Sequence, residues 1–277
     1  MKICFNQATT MKYSTLEKDL QFCEKHGYDL IEIRIDKLKD YLTRNTVEDL
    51  VKFFENSHIK PFAFNALEFI SFRTEEDFNE IVKDLEFICE VGEKIGCSQA
   101  VVVPTFDVGG YTIEEIKKET VEKINILADI AEKKNFKLAF EFVGYPNCSV
   151  NRFEQAYDIV KTVNKDHVGI VLDCFHFYAM LSNLSSLKEM DVKKLFIFHI
   201  DDAENLPFGA LRDDKRIWPG DGAIDLDGIL KILKEIGYDK MVSVELFRPE
   251  YWEWDIEKTI QVGKEKTIKV VSKYFEV

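Results

Sequence analysis

The sequence predicts an α/β fold: a single closed (β/α)8 TIM barrel occupying residues 1–277. Three observations predict it. Strand and helix signals alternate eight times along the chain. The length of 277 residues is that of one such barrel, for which about 250 residues is typical. Four apolar runs in the second half each place a metal-binding side chain near a strand end, where barrels carry their functional residues.

The elements follow in order. Ile3–Asn6 reads as the first strand, and Thr15–His26 as an amphipathic helix stopped by Gly27. Leu30–Arg34 and helix Val47–Asn56 form the second unit. Pro61–Asn65 precedes the long helix Glu75–Ile95, which ends at Gly96. Ala100–Val103 is broken by Pro104 and followed by helix Ile113–Lys134. Leu138–Phe142 precedes helix Phe153–Val163, and Gly169–Asp173 a shorter segment near Ser185–Met190. Leu195–Ile200 leads into a long loop and then helix Leu226–Ile236, capped by Asp225 and stopped by Gly237. Val242–Leu246 precedes the last helix, Asp255–Tyr274. The turn after the first strand has no glycine, which disfavours an open nucleotide-binding sheet. Sparse Pro and Gly and the absence of a linker argue for one domain.

Bulk properties narrow the function classes. A formal charge of −13 repels phosphate backbones, so nucleic acid is not an expected partner. The N-terminus reads directly as a strand rather than a signal peptide, and no apolar stretch has the length of a membrane span. Six cysteines are scattered without a CxxC pair, which fits reduced thiols and a cytoplasmic location better than a disulfide scaffold. Two Asn-x-Ser patterns, at Asn147 and Asn183, have no secretory context to give them meaning.

The four apolar runs are KLAFEF (137–142) with Glu141, GIVLDCFH (169–176) with Asp173, KLFIFHIDD (194–202) with His199, and SVELF (243–247) with Glu245. They fall at strands five to eight, which are neighbours in a barrel, so their ends form one arc of the mouth. Three carboxylates and an imidazole make a mixed oxygen and nitrogen site for one divalent cation. Their three negative charges call for a cation, since crowded carboxylates otherwise repel or protonate. Mn²⁺ and Mg²⁺ suit the oxygens, and Zn²⁺ or Co²⁺ the imidazole. A structural zinc site would use Cys and His instead.

Other candidates surround this set. His176, three residues after Asp173, either reaches a bound ligand or bonds a loop carbonyl. Asn6, Arg34 and Asn65 at the ends of strands one to three could bond substrate hydroxyls. The loop from Asp201 to Ile224 is long enough to cover the mouth. It supplies Arg212 and Arg216 as substrate-binding candidates, and Trp218 either to stack on the apolar face of a polyol ring or to pack the loop. Arg248 either orients Glu245 or pairs with Glu250. His26, His58 and His167 read as surface or helix-end residues.

The order Glu, Asp-x-x-His, His, Glu over strands five to eight resembles the xylose-isomerase-like barrel superfamily, which includes sugar epimerases, inositol-pathway enzymes and endonuclease IV. FNQATT, HGYDLIEIR, EFVGYPNCSVNRFEQAY, VLDCFHFYAM, HIDDAENLPFGAL, WPGDGAIDLD and VSVELFRPEYW extend the resemblance over the whole chain, to the inosose isomerases of inositol catabolism. The resemblance implies a metal on Glu141, Asp173, His199 and Glu245. It implies an acid/base pair in Glu141 and Glu245, and substrate contact at His176. It further implies a metal-dependent isomerase of cyclic keto-polyols. Such an enzyme interconverts 2-keto-myo-inositol and 1-keto-D-chiro-inositol by enediol proton transfer. An epimerase or dehydratase of a related keto-sugar is the alternative. A further glutamate follows the first ligand in keto-sugar epimerases; here GYPNCSV intervenes before Glu154. A DNA-repair nuclease fits less, because Asn65 and Pro104-Thr105 stand where endonuclease IV carries extra histidine ligands.

Overall fold

A computed structural model describes residues 1–277. The chain runs β1 (Lys2–Asn6), α1 (Leu16–Lys25), β2 (Leu30–Arg34), α2 (Ile35–Leu42), α3 (Val47–Asn56), β3 (Lys60–Leu67) and α4 (Glu75–Ile95). It continues through β4 (Gln99–Val102), α5 (Ile113–Glu132), β5 (Lys137–Phe140), α6 (Phe153–Val163), β6 (Val168–Asp173), α7 (Cys174–Ala179) and α8 (Leu184–Lys188). Then follow β7 (Leu195–Ile200), β8 (Asp202–Ala203), β9 (Arg216–Ile217), α9 (Leu226–Glu235), β10 (Met241–Val244), α10 (Pro249–Trp252) and α11 (Ile256–Val271).

Eight parallel strands close a barrel in the ring order β1-β10-β7-β6-β5-β4-β3-β2. The helices start where side chains satisfy free backbone N–H groups. Thr46 and Thr112 form capping boxes with Asp49 and Glu115, and Asp225 accepts from Gly228 N at 2.9 Å. One apolar layer lies between barrel and helices. A smaller one fills the barrel interior, including Cys4, Leu30, Ala63, Ala139, Val171 and Ile197. Side chains along a strand alternate faces. Two residues beyond these interior positions stand Asn6, Glu32, Asn65, Glu141, Asp173 and His199, and this period carries the apolar plug upward into a polar layer.

The eight expected strands are all present, with shifted ends. β5 stops at Phe140 and β10 at Val244, so Glu141 and Glu245 stand one residue past their strands. Each still makes a ladder bond before the chain turns out, Glu141 N to Val102 O (2.9 Å) and Glu245 N to Ile200 O (3.4 Å). Helices α2, α7 and α10 were not expected. They are single or double turns, too short for a clear 3.6-residue period. No helix is long and apolar enough to cross a membrane.

Candidate metal centre and substrate cavity

Strand register brings the ligand candidates together. Asp173 pairs with His199 across β6 and β7, and His199 with Ser243 across β7 and β10. One ligand atom from each of Glu141, Asp173, His199 and Glu245 lies within 4.8 Å of the other three, and all four residues are buried. His199 Nδ1 faces Glu141 Oε1 and Glu245 Oε2, both at 3.1 Å, with Asp173 Oδ2 at 3.8 Å. Its Nε2 faces the opposite way, toward Glu32 on β2.

Electrostatics agree with a site built for a cation. Burial pushes the Glu141 carboxyl up; the His199 bond and charge oppose this, while the charges of Glu245 and Asp173 add to it. Burial acts on Glu245 in the same direction. There the His199 charge and bond, and then the Arg216 charge, outweigh it and hold the carboxyl low. Burial would lower His199, but Glu245, Glu32 and Glu141 together raise it well above the usual imidazole range. The carboxylates around the ring thus favour positive charge at this point. Three carboxylate donors and one imidazole nitrogen around one point fit a divalent ion by donor chemistry.

The carboxylates are held by neighbours. Asn6 Nδ2 and Asn65 Nδ2 donate to Glu245 Oε1 at 2.7 and 3.3 Å. Arg216 is fully buried; its Nη1 donates to Asp173 Oδ2 at 2.7 Å and to Asp201, and its Nε to Asp213 at 2.9 Å. Its Nη2 lies 3.0 Å from His176 Nε2. A guanidinium can only donate, so Nε2 accepts and the proton of the neutral ring sits on Nδ1. Burial keeps this ring neutral by lowering its pKa, with Asp173 opposing and Arg216 assisting. His176 Nδ1 is buried without a partner. His176 is held close by Gly144, where a Cβ would stand 2.5 Å from His176 O.

A cavity of about 170 Å³ opens beside the four residues, lined by Asn65, Glu68, Glu141, His176, Asp213 and Glu245 with an apolar wall that includes Phe69, Phe106 and Phe247. Glu141 uses one oxygen on His199. The other has no protein partner and is not sealed in.

The remaining expectations fall in several places. Asn6 and Asn65 are at the site, bonded to Glu245 rather than free. Arg34 is half-buried at the rim and pairs with Asp36 at 2.9 Å. Arg212 is exposed, its guanidinium 5.2 Å from the Tyr145 ring, which packs edge-on to His176. Trp218 is a correction: it lies outside the cavity, stacked on Tyr251 at 4.6 Å and tilted against Trp254. The loop folds back because Asp202 accepts from the N–H groups of Ala203, Gly220, Gly222 and Ile224, and this turns Trp218 toward the outer helices. The apolar wall against a ring is made instead by the three phenylalanines. Arg248 pairs with Glu250 and Glu204, not with Glu245. Glu154 accepts from Asn183 N at 2.7 Å, away from the site. His26, His58 and His167 bond Glu257, Glu24 and Ala128 O. Sequence reasoning missed Glu32 and Asp213. Glu32 sits in the alternating run LIEIR, and its inward face was the available signal.

The family model described as xylose isomerase-like TIM barrel matches residues 20–266. The chain belongs to the xylose isomerase-like TIM barrel family. Within this family, an inosose isomerase of Bacillus subtilis (strain 168) is 53% identical over 278 residues, 100% of both chains. An inosose isomerase of Bacillus velezensis is 52% identical over 276 residues, 99% of each. A crystal structure of IolI protein with a binding zinc atom superposes with a TM-score of 0.97 at 53% identity, covering 100% of both chains.

Proposed function

We propose that this chain is a metal-dependent inosose isomerase that interconverts 2-keto-myo-inositol and 1-keto-D-chiro-inositol. The observation that carries the reading is the meeting of Glu141, Asp173, His199 and Glu245 at one edge of a cavity on the scale of a single ring. The full-length likeness to inosose isomerases supports it. Zinc is the first ion to test, given the zinc atom in the similar crystal structure; the oxygen-rich donor set also suits manganese, cobalt or magnesium. Buried, unpaired cysteines fit a reducing cytoplasm.

When bound, a divalent ion would polarise the substrate carbonyl and stabilise developing negative charge. The protein groups do the rest. Glu141 presents its partnerless oxygen to the cavity and takes the proton α to the carbonyl. Glu245, fixed by Asn6 and Asn65, takes the hydroxyl proton of that same carbon, which becomes the new carbonyl, and delivers it to the former carbonyl carbon, while Glu141 passes its proton to the former carbonyl oxygen. The Nδ1–H of His176 donates to a substrate oxygen and is thereby satisfied. Phe69, Phe106 and Phe247 cover the C–H face of the ring and exclude water. Arg216 holds His176 and Asp173 in place.

The test incubates the metal-loaded chain with 2-keto-myo-inositol and identifies the product by proton NMR. Formation of 1-keto-D-chiro-inositol is expected. An epimer, a dehydrated product, or no conversion with any of the four ions would contradict the proposal.

A further inference from the structure

Glu32 has no place in the chemistry above, yet it is fully buried in the barrel. It lies on β2, two residues beyond Leu30 of the interior apolar layer. In the closed ring β2 is three strands from β7, so its contact with His199 crosses the barrel interior. Both carboxylate oxygens are within reach of His199 Nε2, at 3.1 and 3.2 Å, and no other side-chain hydrogen bond to Glu32 is formed. A buried carboxylate with one partner is costly. An apolar residue would extend the layer beneath it with less penalty, so the carboxylate needs a reason other than packing.

A neutral imidazole carries its proton on either nitrogen, and only the bare nitrogen binds a metal. The ligand carboxylates lie on the Nδ1 side. A ring protonated at Nδ1 would be blocked, and a ring free to rotate would lose its aim. We propose that Glu32 is the positioning residue of the metal centre: it accepts the Nε2–H of His199, fixes the ring plane, and leaves the Nδ1 lone pair to the ion. Its negative charge also makes the ring a stronger donor. This rests on the metal reading of the four-residue site.

The test uses the full chain, stripped by chelator and titrated with zinc at fixed pH against a chromophoric competitor. Glu32→Leu is expected to lower zinc affinity by about 10–100-fold and, because the Nε2–H of His199 is left buried without an acceptor, to lower the Tm of the stripped variant as well. A purely packing role would lower the Tm but leave the zinc affinity of the folded variant unchanged. Glu32→Gln keeps an acceptor without the charge and is expected to fall between the two. In zinc-loaded protein, the low-field Nε2–H signal of His199 should be present in the unaltered chain and lost in Glu32→Leu. Folded Glu32→Leu binding zinc within about twofold of the unaltered chain overturns the inference and leaves the metal site standing. If Glu32→Leu does not fold, the zinc-loaded unaltered chain decides: absence of a low-field Nε2–H signal from His199 overturns the inference. Failure of the unaltered chain to bind zinc overturns both.

Discussion

His176 and Arg216 separate binding from turnover at the residue scale. His176 offers an unpartnered Nδ1–H beside the cavity and lies outside the four-residue ligand set. We expect His176→Ala to retain metal and to lose about 10²-fold or more in turnover; metal loss equal to that of an Asp173 variant would make it a ligand. Arg216→Lys replaces a planar fork with a point donor that cannot reach Asp173, Asp213 and His176 together. It should lower kcat by about tenfold or more, with metal content measured alongside. The pH behaviour follows from His199 and Glu141, both raised in the metal-free protein. Near neutral pH each holds a proton in the folded chain that it lacks in the unfolded one. Metal-free stability therefore falls as pH rises through that range. Glu245 is lowered and acts in the opposite sense only at acid pH. Metal binding must displace the extra protons, so affinity rises with pH. The gain in Tm on adding zinc is thus expected to be larger at pH 8 than at pH 6, and an equal gain at both would contradict this assignment.

At the scale of elements, the loop between β7 and α9 serves both sides: its Asp213 lines the cavity and its Arg216 reaches Asp173, while its far part is strapped down by Asp202. The Asp202 carboxylate accepts four backbone N–H groups, and charge-assisted bonds of this kind contribute about 1.5–3 kcal/mol each when their removal leaves donors buried. Trp218 anchors the same loop against Tyr251. Trp218→Ala should cost about 3–5 kcal/mol of stability while changing KM little; a large KM effect in the folded variant would return Trp218 to the substrate. The sequence showed that this loop is long and aromatic. It could not show which way the loop folds, because that depends on Asp202 meeting Gly220 and Gly222 across about twenty residues. The strand ends were legible for a different reason. Each ligand sits in an apolar run whose alternation and length are set locally, and the barrel then brings four such ends together. The asparagines at positions 6 and 65 were legible as residues of the mouth, but not as donors to Glu245. Glu32 shares the inward face of LIEIR with Leu30, but that alternation does not show that its partner is a histidine three strands away.

The whole molecule uses one division of labour. Below, apolar side chains plug the barrel. Above them, carboxylates, a histidine and an arginine share a layer whose charge calls for a cation. A cavity walled by phenylalanines opens on the free oxygen of Glu141. The fold class was readable from eight alternating units, since each is specified by local capping and periodicity. The central claim is that the glutamates of this layer move a proton between adjacent carbons of a cyclic keto-polyol. The most direct measurement is isomerisation of 2-keto-myo-inositol in D2O by the metal-loaded chain, followed by proton NMR, with Glu141→Gln run in parallel. The expected result is 1-keto-D-chiro-inositol carrying solvent deuterium at the exchanged carbon, with turnover reduced about 10²-fold or more in the variant that still holds its metal. Product that keeps the original hydrogen in full, as a direct hydride shift would leave it, together with near-normal turnover by Glu141→Gln, would contradict it.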